Sequence, residues 1–405
     1  MEYWSIYLTY IGVVMSAPFH PPRFSERIDR LRPSLVREIL AAATRPGMIS
    51  FAGGLPAADL IPPLPVEALG DPALYQYGAT EGEAAFAEAV ARWIGETGLA
   101  VTPAQILPLA GSQQGLDLAA KLLIDAGTPM LTESPTYLAA LNVFKLFGAD
   151  IAGIPLGADG PDLAAFERLL KLRRPACVYL VPTFQNPAGA CYGPDARRRV
   201  AELLDEHGTL LIEDDPYRTL ALDVDHAATP ICALLERAPW IHLGSFSKIL
   251  WPGLRIGYLA AREDLMPMLV RLKQSVDLHT QRPGQAIVAH WLASPERDAH
   301  IERLRAGYRL RRDAMQTTLT RHFGDIADWR APSGGLFFWL RLRRHEARRD
   351  LLECAMARGV AFLPGEAFFP DGTDRQHMRL NYSHATPEQM EQGLDCLADL
   401  ILGRA

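Results

Sequence analysis

Lys248 is the residue whose neighbours most clearly indicate chemistry. It lies in the segment SFSKILWPGLR, beside two serines and directly after a predicted buried strand. Burial or a nearby cation lowers the pKa of a lysine from about 10.4, and its neutral amine then forms an imine with a carbonyl ligand. The chain has five lysines among its 41 basic residues, so arginine carries most of the positive charge. Lys248 is therefore a candidate nucleophile.

Ser245, Ser247 and Arg255 lie close to Lys248 along the chain and can bind a phosphate group. The serine hydroxyls donate hydrogen bonds, and an arginine guanidinium binds phosphate oxygens in a bidentate manner. A phosphate carries a charge of about −2 at neutral pH, so it needs a cation beside it. An imine-forming lysine next to a phosphate site indicates pyridoxal phosphate as the cofactor.

The segment 111–113 offers a second place for the phosphate. It leads from a predicted strand into a predicted helix. At the start of a helix, free backbone N–H groups and the helix dipole favour an anion. We therefore expect Ser112 and Gln113 to contact the phosphate.

Four further polar side chains suit the ring of such a cofactor. Its pyridine nitrogen must stay protonated to act as an electron sink, and Asp214, at the end of a predicted strand, can hold that proton. The neighbouring Asp215 is the alternative, but the three-residue spacing to Tyr217 favours Asp214. Tyr217 and Asn186 can both bond the phenolic oxygen. Tyr137 offers an aromatic face for stacking on the ring.

Composition limits the remaining function classes. The chain has 405 residues and a net charge of −6, which disfavours a generic nucleic-acid binder. With 49% hydrophobic and 22% charged residues it can bury a large core, and its length predicts two or three domains. Its five cysteines are scattered without the spacing of a disulfide framework or a zinc site, so we predict no metal. A cytoplasmic location without membrane contact is the expectation.

Residues 70–290 alternate short apolar runs with amphipathic segments, which predicts a large domain built on a mostly parallel sheet. Polar clusters follow five of the predicted strands. Open α/β sheets bind ligands outside the carboxyl ends of their strands, so these clusters should converge on one site. The seven predicted strands cover residues 106–110, 129–133, 151–154, 176–182, 209–213, 240–244 and 256–260.

After residue 290 the pattern changes and predicts a smaller α+β domain formed by residues 25–69 and 291–405. Helices are expected at 295–322 and 346–358, with strands at 334–342, around 360–365 and at 378–383. A final helix begins with a capping box at Thr386 and Gln389. A cleft between the two domains follows from this arrangement.

Residues 1–24 are interpreted as an N-terminal extension. The apolar run at 3–14 is too short for a membrane span, and its start lacks the positive charge of a signal peptide. Met15 begins a segment typical of a natural start, so we infer a misassigned start codon.

Eight motifs together resemble one family, the fold-type I pyridoxal phosphate aminotransferases of class I/II. The branch they resemble most holds the 2-aminoadipate and kynurenine aminotransferase II-like enzymes. The resemblance runs from about residue 25 to the end and implies an α/β fold, with a seven-stranded, mostly parallel sheet between helices plus the smaller domain. The motifs are FAGGLP at 51–56, YQYGATEG at 75–82, GSQQGLDL at 111–118, ESPTY at 133–137, TFQNPAG at 183–189, EDDPYRTL at 213–220, GSFSKILWPGLRIGY at 244–258 and MRLNYS at 378–383.

The resemblance implies roles for the chemical groups around the cofactor. Lys248 is similar to the Schiff-base lysine that also moves the proton. Arg379 resembles the arginine that binds the substrate α-carboxylate, with Asn186 assisting. Tyr77 resembles the tyrosine that reaches the phosphate of the neighbouring subunit, which implies a homodimer with shared sites.

The resemblance also implies residues that shape the substrate site. Gly53 and Gly54 resemble paired glycines that leave room for the substrate. Ser34 and Arg37 match residues on a mobile helix of the aminoadipate enzymes, where the arginine can reach a distal carboxylate. Ordinary roles remain open for several positions: Arg379 in a structural ion pair, Tyr77 and Tyr137 in packing, and Arg37 on a solvated helix face.

Three positions depart from the family pattern. Trp251 stands where relatives carry a small residue, Arg282 adds a cation near the expected dimer contact, and Ala79 replaces a common proline. They leave the substrate specificity open.

The expected function is an aminotransferase that moves the amino group of an L-α-amino acid to a 2-oxo acid by ping-pong half-reactions. The donor is of the 2-aminoadipate, aromatic or branched-chain type, and 2-oxoglutarate is the expected acceptor. A lyase or decarboxylase with the same cofactor is one alternative. A cofactor-binding regulator without its DNA-binding domain is the other, although the segment before residue 25 is short for such a domain.

Overall fold

The computed structural model describes residues 23–31, 39, 41, 45–223, 228–343, 350–374 and 376–404. Ser34, Arg37 and residues 1–22 of the predicted extension lie outside the described residues. The strands are β1 Ile49–Ser50, β2 Ile106–Leu109, β3 Pro129–Ser134, β4 Asp150–Gly157, β5 Gly160–Pro161, β6 Cys177–Leu180, β7 Leu210–Asp214, β8 Trp240–Ser245, β9 Gly257–Ala261, β10 Ala327–Trp329, β11 Phe337–Leu342, β12 Val360–Ala361, β13 Leu363–Pro364 and β14 His377–Asn381.

Helices alternate with the strands of the first sheet and then dominate the C-terminal part. The α-helices are α1 Ala84–Gly95, α2 Ser112–Leu123, α3 Leu138–Phe147, α4 Leu163–Arg173, α5 Pro194–His207, α6 Met266–Asp277, α7 Arg282–Ala293, α8 Arg297–Phe323, α9 Leu351–Ala357 and α10 Pro387–Leu402. Short 3₁₀ turns cover Glu26–Arg30, Ala58–Leu60, Val66–Leu69, Pro72–Tyr75, Pro103–Gln105, Arg218–Leu220, Ile231–Leu234, Pro252–Leu254, Glu263–Leu265 and Gly365–Phe368.

The largest sheet has the strand order β2-β9-β8-β7-β6-β3-β4-β5. Strands β8, β7, β6, β3 and β4 are mutually parallel, and β9 runs antiparallel between β8 and β2. All seven predicted strands are confirmed within a few residues. The expected number of strands was wrong by one, because β5, a two-residue Gly-Pro edge strand, pairs with the end of β4. So short a segment carries no hydrophobic pattern.

Several strands of this sheet are buried along their length because helices cover both faces of the sheet. Every residue of β2, β6, β7 and β9 is buried, and apolar clusters pack on each side. A parallel strand with two covered faces reads as a continuous apolar run. The acids that end β7 therefore interrupt a buried strand, and they need specific partners.

A second, antiparallel sheet has the order β10-β11-β14-β13, and β1 pairs with β12. The predicted elements after residue 290 are confirmed where described, except that the segment at 360–365 forms two short strands. The predicted capping box is present: Gln389 N donates to Thr386 Oγ1 at 3.3 Å, and Thr386 N donates to Gln389 Oε1 at 3.0 Å. The sequence patterns gave no signal for β10 or β1.

Among the described residues, no helix combines the length and the apolar character that crossing a bilayer requires. The cytoplasmic location and the domain boundaries stay predictions.

Candidate active site

The five polar clusters that follow strands line one cavity of about 790 Å³. Strands β2, β3, β6, β7 and β8 each deliver side chains to it from their carboxyl ends, as the sheet topology predicts. The predicted residues that line it are Gly53, Gly54, Ser112, Gln113, Tyr137, Asn186, Asp214, Tyr217, Ser245, Ser247, Lys248, Arg255 and Arg379.

Lys248 follows β8 and reaches across the cavity. Its Nζ donates a hydrogen bond to the Gly54 carbonyl oxygen at 2.9 Å. Burial lowers the pKa of Lys248 to about 8, and the charges of Arg379 and Arg255 act in the same direction. With this pKa roughly a tenth of the amine is neutral at pH 7, far more than for an exposed lysine, and the neutral amine is the form that attacks a carbonyl group.

Asp214 ends β7 and keeps one carboxylate oxygen available. Tyr179, on the adjacent β6, donates to Asp214 Oδ2 at 2.8 Å, whereas the buried Oδ1 has no hydrogen-bond partner among the described residues. Burial raises the pKa of Asp214 to about 6; the Tyr179 bond opposes this shift and the charge of Asp215 adds to it. A buried acceptor without a partner is costly, so this oxygen suits a donor on a bound ligand.

Asp215 also has a buried Oδ1 without a hydrogen-bond partner among the described residues, but it does not line this cavity and its other oxygen is engaged elsewhere. Its carboxylate pairs with Arg218, and His242 Nε2 lies 3.6 Å from Asp215 Oδ2. Burial alone would raise its pKa, but Arg218 and His242 outweigh this and hold the pKa of Asp215 well below its usual range. Of the two acids that the sequence offers, Asp214 is the one that lines the cavity, and its role as ring partner stays a prediction.

Two glycines bring the phosphate-binding groups together. Gly111, which precedes α2, has φ +81°, and a Cβ there would lie 2.4 Å from Arg255 Nη2. A Cβ on Gly257 would lie 2.9 Å from the backbone nitrogen of Ser112. Only glycine permits so close an approach at these positions. The guanidinium of Arg255 and the N-terminus of α2 therefore share one corner of the cavity.

Ser245, the last residue of β8, and Ser247 complete this corner. Ser247 N donates to Ser245 Oγ at 3.2 Å, and Arg255 Nη1 donates to Ser247 Oγ at 3.4 Å. Hydroxyls, a guanidinium and free N–H groups at a helix start form a typical anion site.

Arg379, Asn186 and Tyr217 form a hydrogen-bonded chain on the opposite side. Arg379 Nη1 donates to Asn186 Oδ1 at 2.8 Å, and Asn186 Nδ2 donates to the Tyr217 hydroxyl at 3.3 Å. Arg379 stacks on Phe337, 4.1 Å from the ring centroid, and burial lowers its pKa to about 10. Its Nη atoms donate to uncharged oxygens of Asn186 and Ala52, and its buried Nε has no partner, so Arg379 forms no ion pair with a carboxylate of the described residues.

Tyr137 and the glycine pair shape the cavity wall. Burial, with the charge of Asp214, raises the pKa of Tyr137 to about 12, so its hydroxyl stays protonated. A Cβ on Gly54 would lie 3.3 Å from Phe337 Cζ and 3.8 Å from Lys248 Nζ. A side chain at Gly54 would therefore enter the space beside the amine.

Tyr77 is the described site residue that lies outside the cavity. Its side chain is 78% exposed and contacts the ring of His279 edge-on, with 5.9 Å between centroids. Within one chain it contributes nothing to the site.

Several residues of the site were not predicted. Tyr179, whose hydroxyl bonds Asp214, lies in a fully buried strand; a buried tyrosine needs a partner for its hydroxyl, and this was the available signal. Phe337 lies on β11, far from the motifs. Arg45 lines the exposed edge of the cavity.

Glu133 was also missed as a supporting residue. It is fully buried and accepts hydrogen bonds from Val181 N at 3.1 Å, Gln185 Nε2 at 3.0 Å and the Tyr192 hydroxyl at 2.7 Å. Burial raises its pKa to about 7 despite these bonds. Gln185 precedes Asn186, so this carboxylate holds the turn that presents Asn186.

Comparison with known proteins agrees with this geometry. Residues 58–397 match the family model of aminotransferase class I and II. A 2-aminoadipate transaminase of Thermus thermophilus is 38% identical over 392 residues, or 94% of this chain and 96% of that protein. The chain belongs to the class I and II aminotransferase family. An aromatic-amino-acid aminotransferase of Thermococcus litoralis is 36% identical, over 93% of this chain and 94% of that protein.

A solved structure shows the same fold. The crystal structure of an α-aminoadipate aminotransferase from Thermus thermophilus, complexed with N-(5′-phosphopyridoxyl)-L-leucine, has a TM-score of 0.85 and 36% identity, covering 94% of this chain and 97% of that one. The predicted fold-type I architecture, the transaminase activity and the pyridoxal phosphate cofactor are thereby confirmed. The comparisons therefore support a transaminase over the alternatives of a lyase, a decarboxylase or a regulator.

The residues of this aminotransferase fit the cofactor. The free Oδ1 of Asp214 suits the N–H of a protonated pyridine, and the corner around Arg255 and Ser112 suits its phosphate. Lys248 lies in the same cavity with a lowered pKa, as an imine-forming amine requires. We assign these residues as the ones that would hold the group.

We expect the neighbouring acids of β7 to respond differently to substitution. Asp214→Asn should slow the half-reaction with an amino acid about 100-fold or more, because the ring nitrogen loses its acid. Asp215→Asn should instead lower the free energy of unfolding by about 3 kcal/mol, because it leaves Arg218 buried without its anion. Stopped-flow absorbance and denaturant unfolding measure the two effects. A spectral change on Asp215→Asn alone would contradict the assignment.

We expect the rate at which the apoprotein takes up cofactor to rise with pH through a midpoint of about 8. The reason is that the neutral form of Lys248 attacks the aldehyde, and its pKa is lowered to about 8. Arg379→Gln removes a positive charge near the amine, so it should move the midpoint to higher pH. Absorbance-monitored reconstitution between about pH 6 and pH 10 measures this. Arg330→Gln, an exposed arginine paired with Asp159, is the control and should leave the midpoint unchanged.

Proposed function

We propose that this aminotransferase transfers the amino group of an L-α-amino acid with a long side chain to a 2-oxo acid, with 2-oxoglutarate as the principal acceptor, by a ping-pong mechanism. The donors are of the 2-aminoadipate, aromatic and branched-chain types. The observation that carries the proposal is the position of Arg379, a buried cation with an unpartnered Nε, in the same cavity as Lys248 and Asp214.

Arg379 binds the α-carboxylate of the donor. Its Nη1 is fixed by Asn186 and its Nη2 donates to the Ala52 carbonyl oxygen at 2.5 Å, while Phe337 supports the face of the guanidinium. A planar cation held in one orientation binds a carboxylate in one orientation. The Cα–H bond is thereby aligned with respect to the cofactor ring.

Lys248 moves the proton. The cofactor, when bound, supplies an electron sink for the negative charge that develops at Cα. Lys248 Nζ would take the proton from Cα and deliver it to C4′, the carbon of the cofactor aldehyde, so that the amino group stays with the cofactor. A pKa of about 8 suits a group that must both accept and donate a proton near neutral pH. Asp214 would hold the proton of the ring nitrogen through its unpartnered Oδ1, and the Tyr217 hydroxyl would donate to the phenolic oxygen.

The walls of the cavity favour long side chains on the donor. Leu55, Leu138, Phe337 and Leu363 provide apolar surface for an aromatic or branched side chain, and Arg45 places a cation at the exposed edge. Arg37 is the second candidate cation, from its resemblance to the aminoadipate enzymes. The relatives are named for 2-aminoadipate and for aromatic amino acids, which supports this range of donors.

The acceptor must use the same site, because one cavity serves both half-reactions in a ping-pong mechanism. A 2-oxo acid with a second carboxylate, such as 2-oxoglutarate, matches the two positions that bind a dicarboxylic donor: Arg379 for the α-carboxylate and a cation near the edge for the distal one. This shared requirement supports 2-oxoglutarate.

The working unit is a homodimer with shared sites. Tyr77, Tyr75 and Val66 form part of an exposed apolar segment, with exposures of 78%, 67% and 67%. Exposed aromatic side chains grouped on one segment are typical of an interface. In the dimer Tyr77 reaches the phosphate site of the neighbouring subunit.

We expect Lys248→Ala to abolish turnover, because no other amine replaces both the anchor and the proton carrier. Borohydride reduction of the wild-type holoenzyme, followed by peptide mass mapping, should place the cofactor on Lys248. The control is Lys171→Ala, an exposed lysine paired with Glu167, which should keep full activity. A label on any other lysine, or none at position 248, would refute the assignment.

We expect Arg37→Ala to lower kcat/KM for 2-aminoadipate about tenfold while leaving leucine unaffected, because only the first donor carries a distal carboxylate. Arg45→Ala should also lower kcat/KM for 2-aminoadipate, because Arg45 places a second cation at the exposed edge of the cavity. Single-turnover absorbance with each donor gives both values. An equal loss for leucine and 2-aminoadipate would contradict a role in recognising the distal carboxylate.

A further inference from the structure

The segment that carries Tyr77 is held by one arginine from a distant part of the chain. We call residues 73–83 the tyrosine loop; it runs from the 3₁₀ turn Pro72–Tyr75 to the start of α1. Its aromatic side chains are exposed, so packing within the chain does little to fix them. Their position depends on how the backbone of the loop is held.

Arg282, the first residue of α7, supplies most of that support. Its Nε and Nη2 donate to the two oxygens of Glu83 at 2.6 and 3.2 Å. Its Nη1 donates to the carbonyl oxygen of Ala73 and, at 3.3 and 3.5 Å, contacts those of Gln76 and Tyr77. One guanidinium thus binds both ends of the tyrosine loop and the residue that bears the aromatic ring.

Two residues near Arg282, His279 and Gln285, contribute three further contacts. Gly78 N donates to His279 Nε2 at 3.3 Å, and the ring of His279 contacts Tyr77. Glu83 N donates to Gln285 Oε1 at 2.8 Å. The loop also closes tightly on Arg282, since a Cβ on Gly78 would lie 2.8 Å from Arg282 Cδ.

These contacts require an arginine. A lysine ammonium can pair with Glu83 as a point charge, but it lacks the planar fork that serves a carboxylate on one side and carbonyl oxygens on the other. The side chains of Arg282 and Glu83 are 16% and 25% exposed, so solvent screens the pair less than it would a fully exposed one. The cation added at this position is therefore neutralised within its own chain.

We propose that Arg282 is a positioning residue for the cofactor site of the neighbouring subunit: it fixes the tyrosine loop so that Tyr77 projects from the surface in the orientation that reaches the partner's phosphate. The inference rests on the proposed homodimer with shared sites. Arg282 itself does not line the cavity of its own chain. It acts through the carbonyl groups of the loop and through Glu83.

The test is a double-mutant cycle on cofactor affinity. The cofactor is first removed from the holoenzyme to give the apoprotein. The Kd of pyridoxal phosphate is then measured by absorbance titration for the wild type, Tyr77→Phe, Arg282→Gln and the double variant. The protein concentration is one at which sedimentation shows the dimer. Each single variant should raise Kd about threefold to tenfold, the loss expected when one hydrogen bond to a charged group is weakened. The double variant should bind no more weakly than Tyr77→Phe, because Arg282 acts through Tyr77.

Two further variants separate positioning from stability. Arg282→Lys keeps the charge opposite Glu83 but not the contacts with the carbonyl oxygens, so it should raise Kd while the melting temperature stays near that of the wild type. If Arg282→Gln fails to fold, Arg282→Lys takes its place in the double-mutant cycle. Arg262→Gln is the matched control, since Arg262 likewise donates to a carboxylate, Asp264, and to a carbonyl oxygen, away from the loop. It should leave Kd unchanged.

The outcomes that overturn the proposal are distinct. If Tyr77→Phe raises Kd but the Arg282 variants do not, the shared site stands and the positioning role is refuted. If the two effects add in the double variant, Arg282 acts independently of Tyr77 and the proposal fails. If Tyr77→Phe leaves Kd unchanged, the proposed role of Tyr77 in the shared site fails, and the inference fails with it.

Discussion

The cavity concentrates positive charge in a partly buried space, and the ligand that it binds must compensate for the repulsion between these charges. Among the described residues that line it, four are cationic, Arg45, Lys248, Arg255 and Arg379, and one, Asp214, is a carboxylate. Repulsion in a medium of low polarity is relieved when Lys248 loses its proton or when an anion binds near Arg255. A ligand that carries both a phosphate and an aldehyde makes use of both routes, since the phosphate meets Arg255 and the aldehyde meets the neutral amine.

Keeping these cations in place requires a rigid frame, and a buried carboxylate provides part of it. Glu133, at the end of β3, binds the backbone of Val181 and the side chain of Gln185, which itself donates to the Pro135 carbonyl oxygen at 2.8 Å. The loop that leads to Tyr137 and the turn that holds Asn186 are thereby joined. Asn186 then orients Arg379. Removing one member would leave other buried polar groups of the network without hydrogen-bond partners, which is costly. Substitutions of its members should therefore not have additive effects.

The sequence was sufficient to predict groups that chemistry requires at strand ends, and insufficient for groups that act through distant contacts. Lys248 and Asp214 are charged residues at or just after the ends of buried apolar runs, so their positions in the sequence identify them as candidates for chemistry. The hydroxyl of Tyr179 and the support from Glu133 depend on which strands are adjacent, and strand order is not encoded in local periodicity. Arg282 drew attention as a departure from the family pattern, yet its contacts lie about 200 residues away along the chain, beyond any local pattern.

Three consecutive acids at the end of β7 show how strand geometry divides one charged motif among separate tasks. Glu213 and Asp215 point to one face: Glu213 accepts from the backbone nitrogens of Ile231 and Cys232 at 3.1 and 2.8 Å, and Asp215 pairs with Arg218. Asp214 points to the other face and lines the cavity. Side chains alternate along a strand, so a shift of one residue in the pairing of Asp214 with Leu243 would exchange the faces. Glu213 and Asp215 would then enter the cavity as two like charges, and the acid suited to the ring nitrogen would be lost to the opposite face.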